Sequence, residues 1–242
     1  MINKRLFSML RSLLMGKLCH WKIRLFGGVG HLKPTVKYSA KWYGSLYGGF
    51  YVVPEFLSKD SIVYSVGVGT DISFDDEIIS RHSSSVYAFD PTPKSIAWIA
   101  DNKPFEKFAF FPYGVGCKTE IAPFYLPKEK AFVSGSSQVH SNVSVVDCIN
   151  VRFKRIKDIM DELGHTHIDV LKLDIEGAEY GVIDDIVASN VRAKQLLVEF
   201  HDRMFSDGRD RSCRAVAILR SIGYRIFAVS STYEEVSFIL DT

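Results

Sequence analysis

Two groups of residues in this chain have the types and spacing that chemistry needs. The first lies in Tyr64-Ser-Val-Gly-Val-Gly-Thr-Asp-Ile-Ser-Phe-Asp75, where Gly67 and Gly69 follow a short apolar run and precede a helical pattern. Glycine at such a bend lets a ligand come close to the backbone, because no Cβ stands in the way. Asp90 closes the next apolar run about 20 residues further on, the place from which a carboxylate reaches ribose hydroxyls in a nucleotide-binding α/β sheet. Either feature alone also suits a tight structural turn or a solvated strand end; together they point to a nucleoside. A dinucleotide fingerprint needs a third glycine three residues after Gly69, and position 72 is isoleucine, which disfavours a nicotinamide-dependent oxidoreductase.

The second group is Asp174, Glu176, Glu199 and His201. Ligands of an open α/β sheet sit beyond the carboxyl ends of its strands, so residues closing two buried apolar runs, Asp174 and His201, are candidates for the reacting centre. Strand parity puts Val170, Lys172 and Asp174 on one face, and Leu197, Glu199 and His201 on one face of the next strand, so two polar columns are expected side by side. His201 is the candidate general base, because an imidazole titrates near neutral pH. Asp174 and Glu176 would position the reactants. The alternative is a buried network in which Lys172 pairs with Glu199 and His201 caps it; for Lys172 and Glu199 this is the expected arrangement. Glu176 and Glu179 flank Gly177 at a helix start, where acidic residues also complement the dipole. A divalent metal shared by Asp174 and Glu199 lacks a third ligand at a recognisable spacing, so no metal is expected.

Short apolar runs alternating with helical patterns from Ser61 onward position these groups, which is the pattern of βαβ units. Strands are expected at Ser61–Gly67, Val86–Asp90, Phe108–Val115, Ile168–Asp174, Lys194–His201, Tyr224–Val229 and Val236–Leu240, with Ala122–Leu126 in a hairpin. Helices are expected at Phe74–His82, Pro93–Asn102, Phe153–Leu163, Ala178–Ser189 and Arg209–Ile222, two of them stopped by Gly164 and Gly223. The last two strands are joined by a turn short enough for an antiparallel pair. The expected fold is a doubly wound α/β domain with a seven-stranded, mostly parallel sheet ending in an antiparallel strand. Residues 43–54, mixing glycine with aromatics, read as a hairpin or loop that lies over a ligand. Residues 132–142 read as a polar surface loop with hydroxyl and amide donors for an acceptor.

The segment Leu171-Lys-Leu-Asp-Ile-Glu-Gly-Ala-Glu179 closely resembles the signature of FkbM-type methyltransferases. Tyr87-Ala-Phe-Asp-Pro-Thr-Pro93 resembles that family's second-strand motif, Pro112-Tyr-Gly-Val-Gly116 its third-strand end, and Val198-Glu-Phe-His201 its fifth-strand motif. The resemblance spans roughly residues 45–240 and implies a Rossmann-like class I methyltransferase with S-adenosylmethionine as donor, acting on a hydroxyl of a sugar, glycan or small natural product. With it the expected cofactor site is Gly67, Val68, Gly69, Asp71, Asp90, Pro91, Gly114, Val115 and Asp174, while the catalytic set of His201, Asp174 and Glu176 rests on the strand-end reading above. The chain departs from the family pattern at Ser65, where many members carry an acidic residue, and at Asp71, where many carry glycine. Asp71 or Asp75 would then either pair with the donor's amino group or cap the following helix.

Composition narrows the classes further. A length of 242 residues suits one α/β domain, and a formal charge of +2 argues against a large nucleic-acid footprint, leaving a small molecule or sugar as the expected partner. Cys19, Cys117, Cys148 and Cys213 stand singly, which fits a reducing cytoplasm and no zinc site. Residues 1–44 are expected to form an amphipathic helix and a connecting segment, ahead of a methyltransferase domain at 45–242. At helical spacing Ile2, Leu6, Met9, Leu10, Leu13 and Leu14 share a face opposite Lys4, Arg5 and Arg11, so residues 1–26 either dock on protein or make a peripheral membrane contact. A catalytically silent binding module that keeps the fold and is recruited through this helix is the alternative function.

Overall fold

A computed structural model describes residues 28–102, 106–129 and 132–241; the N-terminal amphipathic segment expected at residues 1–26 lies outside them. In chain order the strands are β1 (Lys41–Tyr43), β2 (Phe50–Val52), β3 (Ile62–Val66), β4 (Ser85–Phe89), β5 (Phe108–Phe111), β6 (Gly114–Val115), β7 (Glu120–Pro127), β8 (Val143–Lys154), β9 (Ile168–Leu173), β10 (Ala193–Glu199), β11 (Tyr224–Val229) and β12 (Glu235–Leu240). The helices are α1 (Ser73–His82), α2 (Pro93–Asn102), α3 (Ile156–Leu163), α4 (Glu179–Ala188) and α5 (Gly208–Ser221). Seven strands form the central sheet in the order β11-β12-β10-β9-β3-β4-β5, with β12 antiparallel to both neighbours and the pairs from β10 to β5 parallel. The chain starts this sheet in the middle at β3, winds outward through β4 and β5, and crosses back to β9. The reversal of direction lies between β3 and β9, and such a switch point opens a crevice at the strands' carboxyl ends.

Alternation along the strands sorts the core. Tyr64, Val66, Phe89, Leu171, Leu173, Leu196 and Val198 point to the face covered by α3, α4 and α5. Val63, Val86, Val170 and Leu197 point to the other, where Phe74 and Ile78 of α1 and Tyr43, Phe50 and Val52 of the β1–β2 hairpin cover them. Each such fully buried side chain contributes about 1.5–3 kcal/mol relative to exposure. Lys172 sits in register with Leu197, so the two polar columns expected from parity are indeed adjacent.

Two local readings are corrected. The stretch Phe108–Val115 is not one strand: β5 ends at Phe111, and β6 joins a separate three-stranded sheet, β6-β8-β7. Phe153 and Lys154 belong to β8, and α3 begins only at Ile156, because Phe153 is held against Gly114 and Val115 by pairing with β6. Residues 28–44 pack with the domain: Leu32 enters the main core, Thr35 N–H donates to the Ile226 carbonyl (2.8 Å), and Tyr43 pairs with Phe50 across residue 44.

Gly67 makes the switch point feasible. It adopts φ +78°, and a Cβ there would lie 1.7 Å from the Asp174 carbonyl oxygen, so the ends of β3 and β9 approach only over a bare Cα. Gly67→Ala is expected to cost about 3 kcal/mol or more, since neither backbone can yield without breaking the β3–β9 ladder. A thermal melt checks this; a variant melting within a degree of the parent would show that the approach is not tight.

Candidate active site

A cleft of about 430 Å³ opens at the carboxyl ends of β3, β4, β9 and β10. Every residue expected from sequence at the cofactor site lines it: Gly67, Val68, Gly69, Asp71, Asp90, Pro91, Gly114, Val115 and Asp174. Glu176, Lys172 and Glu199 line it as well, and His201 lies buried behind Glu176 and Glu199.

At one end, Asp90 is 4% exposed and its carboxylate is fixed by two backbone donors, Gly69 N–H to Oδ2 and Thr92 N–H to Oδ1, each at 2.8 Å. A carboxylate has about four acceptor positions, so two stay available for hydroxyls in the cleft. Gly69, at φ +55°, has nothing within 4 Å of where a Cβ would be. Bare backbone and held carboxylate thus face open space walled by Val68, Phe89 and Val115, a polar-and-apolar corner of the kind that suits a ribose and a purine.

Asp71 serves the helix and the hairpin. Its Oδ1 accepts from Ser73 N–H at the start of α1 (2.9 Å) and its Oδ2 from the Ser45 hydroxyl (2.6 Å). This ties the β1–β2 turn over the cleft, with Leu46, Tyr47 and Gly48 on its rim, as the expected hairpin over a ligand requires. Asp75 points away: it is buried beneath α1, where burial pushes its carboxyl up to about 6 against the pull of Lys172. The pair Lys172–Glu199 expected from sequence is not formed. Lys172 instead donates to the Gly67 carbonyl (3.1 Å), lies 3.5 Å from Asp174 Oδ2 and stands over the Phe50 ring.

The other end is crowded with acid. His201 is 1% exposed; its Nδ1 lies 3.3 Å from Glu179 Oε1, an oxygen that also accepts from the His201 N–H (3.0 Å). Glu179 Oε2 accepts from Gly177 N–H (2.9 Å), so this fully buried carboxylate fixes both the imidazole and the turn before α4. On its far side, His201 Nε2 lies 3.4 Å from Glu176 Oε2, 3.5 Å from Glu199 Oε1 and 3.9 Å from Asp174 Oδ1. Glu176 reaches this position through a backbone with φ +52°, the left-handed region, a strain that is typical of functional turns.

Electrostatics follow from this geometry. Burial raises the Glu176 carboxyl, with His201 opposing, and pushes Glu199 up to about 9, Asp174 adding to the effect. For His201 burial alone would lower the value, but Glu179, Glu176 and Glu199 outweigh it and hold the imidazole at about 10. The premise that this imidazole titrates near neutral pH is thereby corrected: surrounded by carboxylates, it is a cation at pH 7.

Sequence reasoning missed several cleft residues. Arg203, 3.8 Å from Glu199 and paired with Glu234, reaches the cleft from the segment after β10; Thr232, Glu234 and Glu235 reach it from the β11–β12 turn. Of these only Glu235 lies at a strand end, the first residue of β12; the others sit in connecting segments that carry no periodic signal. The polar loop expected from sequence does reach the cleft: Ser134, Gly135 and Ser137 line it, and buried Ser136 anchors it by donating to the Glu176 carbonyl (2.7 Å).

The methyltransferase FkbM domain model matches residues 60–226. Two curated relatives, human and rat proteins named "Probable methyltransferase-like protein 24", are 25% and 22% identical over 162 residues, which is 66% of this chain and 38% of theirs. The chain thus spans well under half the length of those relatives. Among solved structures, the methyltransferase FkbM from Methylobacillus flagellatus KT is similar with a TM-score of 0.44 at 14% identity, over 76% of this chain and 44% of that one.

Proposed function

We propose, for a chain that belongs to the FkbM methyltransferase family, that it moves a methyl group from S-adenosylmethionine, the donor of that family, to a hydroxyl of a small or sugar-like acceptor. The observation that carries this reading is a single cleft joining the Gly69–Asp90 corner to the carboxylate–imidazole cluster, with Asp174 between them. The corner would hold the nucleoside, its ribose on Asp90 and its base between Val68, Phe89, Pro91 and Val115. Asp71, already committed to Ser45 and Ser73, has acceptor capacity left for the donor's amino group. When bound, the donor supplies an electrophilic methyl carbon.

The chain's residues then have to align an oxygen with that carbon and remove its proton. Glu176 is our choice of base: it lines the cleft, and burial raises its basicity toward the working pH. Asp174, close to Lys172 and facing the cleft between the two ends, orients the acceptor hydroxyl. His201, held protonated, supplies the positive charge that lets three carboxylates share one wall. The exposed Leu46 and Tyr47, with Phe132, rim the opening and would exclude water once an acceptor sits below them. The scattered cysteines and near-neutral charge support a reducing compartment and a partner that is not nucleic acid. Among the described residues no helix is long and apolar enough to cross a membrane.

Calorimetry with S-adenosylmethionine, S-adenosylhomocysteine and NAD tests the donor, and a methyl-transfer screen over hydroxylated acceptors tests the reaction. Micromolar binding of the first two without NAD, plus a product 14 Da heavier than an acceptor, is the expected outcome. Cofactor binding with no transfer to any acceptor would favour the silent module, which the departures at Ser65 and Asp71 permit; NAD binding instead would return the oxidoreductase reading.

A further inference from the structure

We infer that Asp174, Glu176 and His201 form a divalent-cation site at the acceptor end of the cleft, with Glu199 as an adjacent fourth ligand. The three residues each present one ligand atom, and these atoms lie within 4.8 Å of one another. Around His201 Nε2 the carboxylate oxygens stand at 3.4, 3.5 and 3.9 Å. Ligands about 2.1 Å from an octahedral ion lie about 3.0 Å apart in cis and about 4.2 Å apart in trans, so these separations need only a small contraction to close on one ion.

The imidazole is the observation that separates this cluster from an ordinary acidic patch. Its side chain is 1% exposed, and its Nδ1 is committed to the fully buried carboxylate of Glu179. That contact orients Nε2 toward the three oxygens, yet Nε2 makes a hydrogen bond to none of them. A carboxylate behind one ring nitrogen, with the other nitrogen aimed at convergent acids, is how metal-binding histidines are held. The charge agrees. Asp174, Glu176, Glu179 and Glu199 bring four negative charges, and the cations beside them, besides His201 itself, are Lys172 and Arg203. A divalent ion would displace the Nε2 proton that His201 holds without it, since an imidazole ligates only in its neutral form, and would itself supply the positive charge that balances the carboxylates. A set of carboxylates with one imidazole suits Mn²⁺ better than the all-oxygen preference of Mg²⁺, and coordination positions left open toward the cleft would take an acceptor oxygen and polarise its hydroxyl. This rests on and deepens the proposed function, since it assigns the acceptor a metal-binding oxygen and leaves Glu176, with one oxygen on the ion, its other oxygen to take the acceptor's proton; cation binding itself does not depend on methyl transfer.

The test uses the full chain, stripped with a chelator and titrated with Mn²⁺ alone, the free ion being followed by electron paramagnetic resonance. One Mn²⁺ per chain is expected, weakened at least tenfold by Glu176→Gln and by His201→Ala and unaffected by Glu234→Gln, which alters the neighbouring all-carboxylate group of Glu199, Glu234 and Glu235. Retained S-adenosylmethionine binding in each variant establishes that it is folded. Absence of a site tighter than millimolar in the parent, or loss of binding in Glu234→Gln but not in Glu176→Gln, would overturn the inference. Failure of the donor to bind, with Mn²⁺ bound as expected, would count against the proposed function and leave the cation site standing.

Discussion

Asp90→Ala should weaken S-adenosylmethionine binding by about 100-fold, roughly 2.7 kcal/mol, while the domain stays folded. The substitution acts twice. It removes the acceptors for ribose hydroxyls, and it frees the Gly69 and Thr92 N–H groups that now hold the glycine bend in shape. A charged acceptor with two backbone donors is worth more than a neutral hydrogen bond, which sets the size of the loss. Asp90→Asn keeps one carbonyl oxygen for one backbone donor but sets its NH₂, itself a donor, against the other, so it should fall between the parent and the alanine variant. Isothermal titration reads both, with S-adenosylhomocysteine as a second ligand. Alanine-variant affinity within threefold of the parent would mean that the nucleoside does not sit on this corner, and the cofactor assignment built on Gly69 and Asp90 would fail.

The second large effect belongs to the opposite end. Glu176→Gln, isosteric but unable to take a proton, should reduce kcat by 10²- to 10⁴-fold, the usual range for a lost general base, with donor affinity within about threefold. His201→Ala should slow turnover by about 100-fold or more through a different route, because it deletes the cation around which Asp174, Glu176 and Glu199 converge and leaves their charges facing one another. The pattern across the two variants matters more than either number. Loss of kcat with intact donor binding places the cluster at the acceptor. Equal loss of donor affinity would move it to the cofactor side, and full activity in either variant on an identified acceptor would remove that residue from the chemistry.

Much of the frame was legible in the chain itself. The βαβ alternation, the Gly67–Gly69 bend and the strand-end acids Asp90 and Asp174 are local signals: strand parity, glycine's backbone freedom and a carboxylate closing an apolar run each depend on a few neighbouring residues. The second sheet was less legible. The first half of β8 is mostly exposed and carries no regular pattern; Ile149, Val151 and Phe153 do alternate with Asn150, Arg152 and Lys154, but the end of that run reads equally as the start of the helix that follows.

Tertiary structure alone decided the partners of the charges. Lys172 has Glu199 in sight by parity, but the bare Cα of Gly67 brings the ends of β3 and β9 together and gives its ammonium a carbonyl and Asp174 instead. In the same way no spacing announces that Glu179 holds His201 from behind, or that Glu176 turns back through a left-handed backbone to meet it. Residue types fix what each group can do as an acid, a base or a ligand. Which groups face each other, and in how dry a setting, is set by strand crossings and turns that join distant parts of the chain, and that environment is what turned an imidazole expected to titrate near neutral pH into a buried cation.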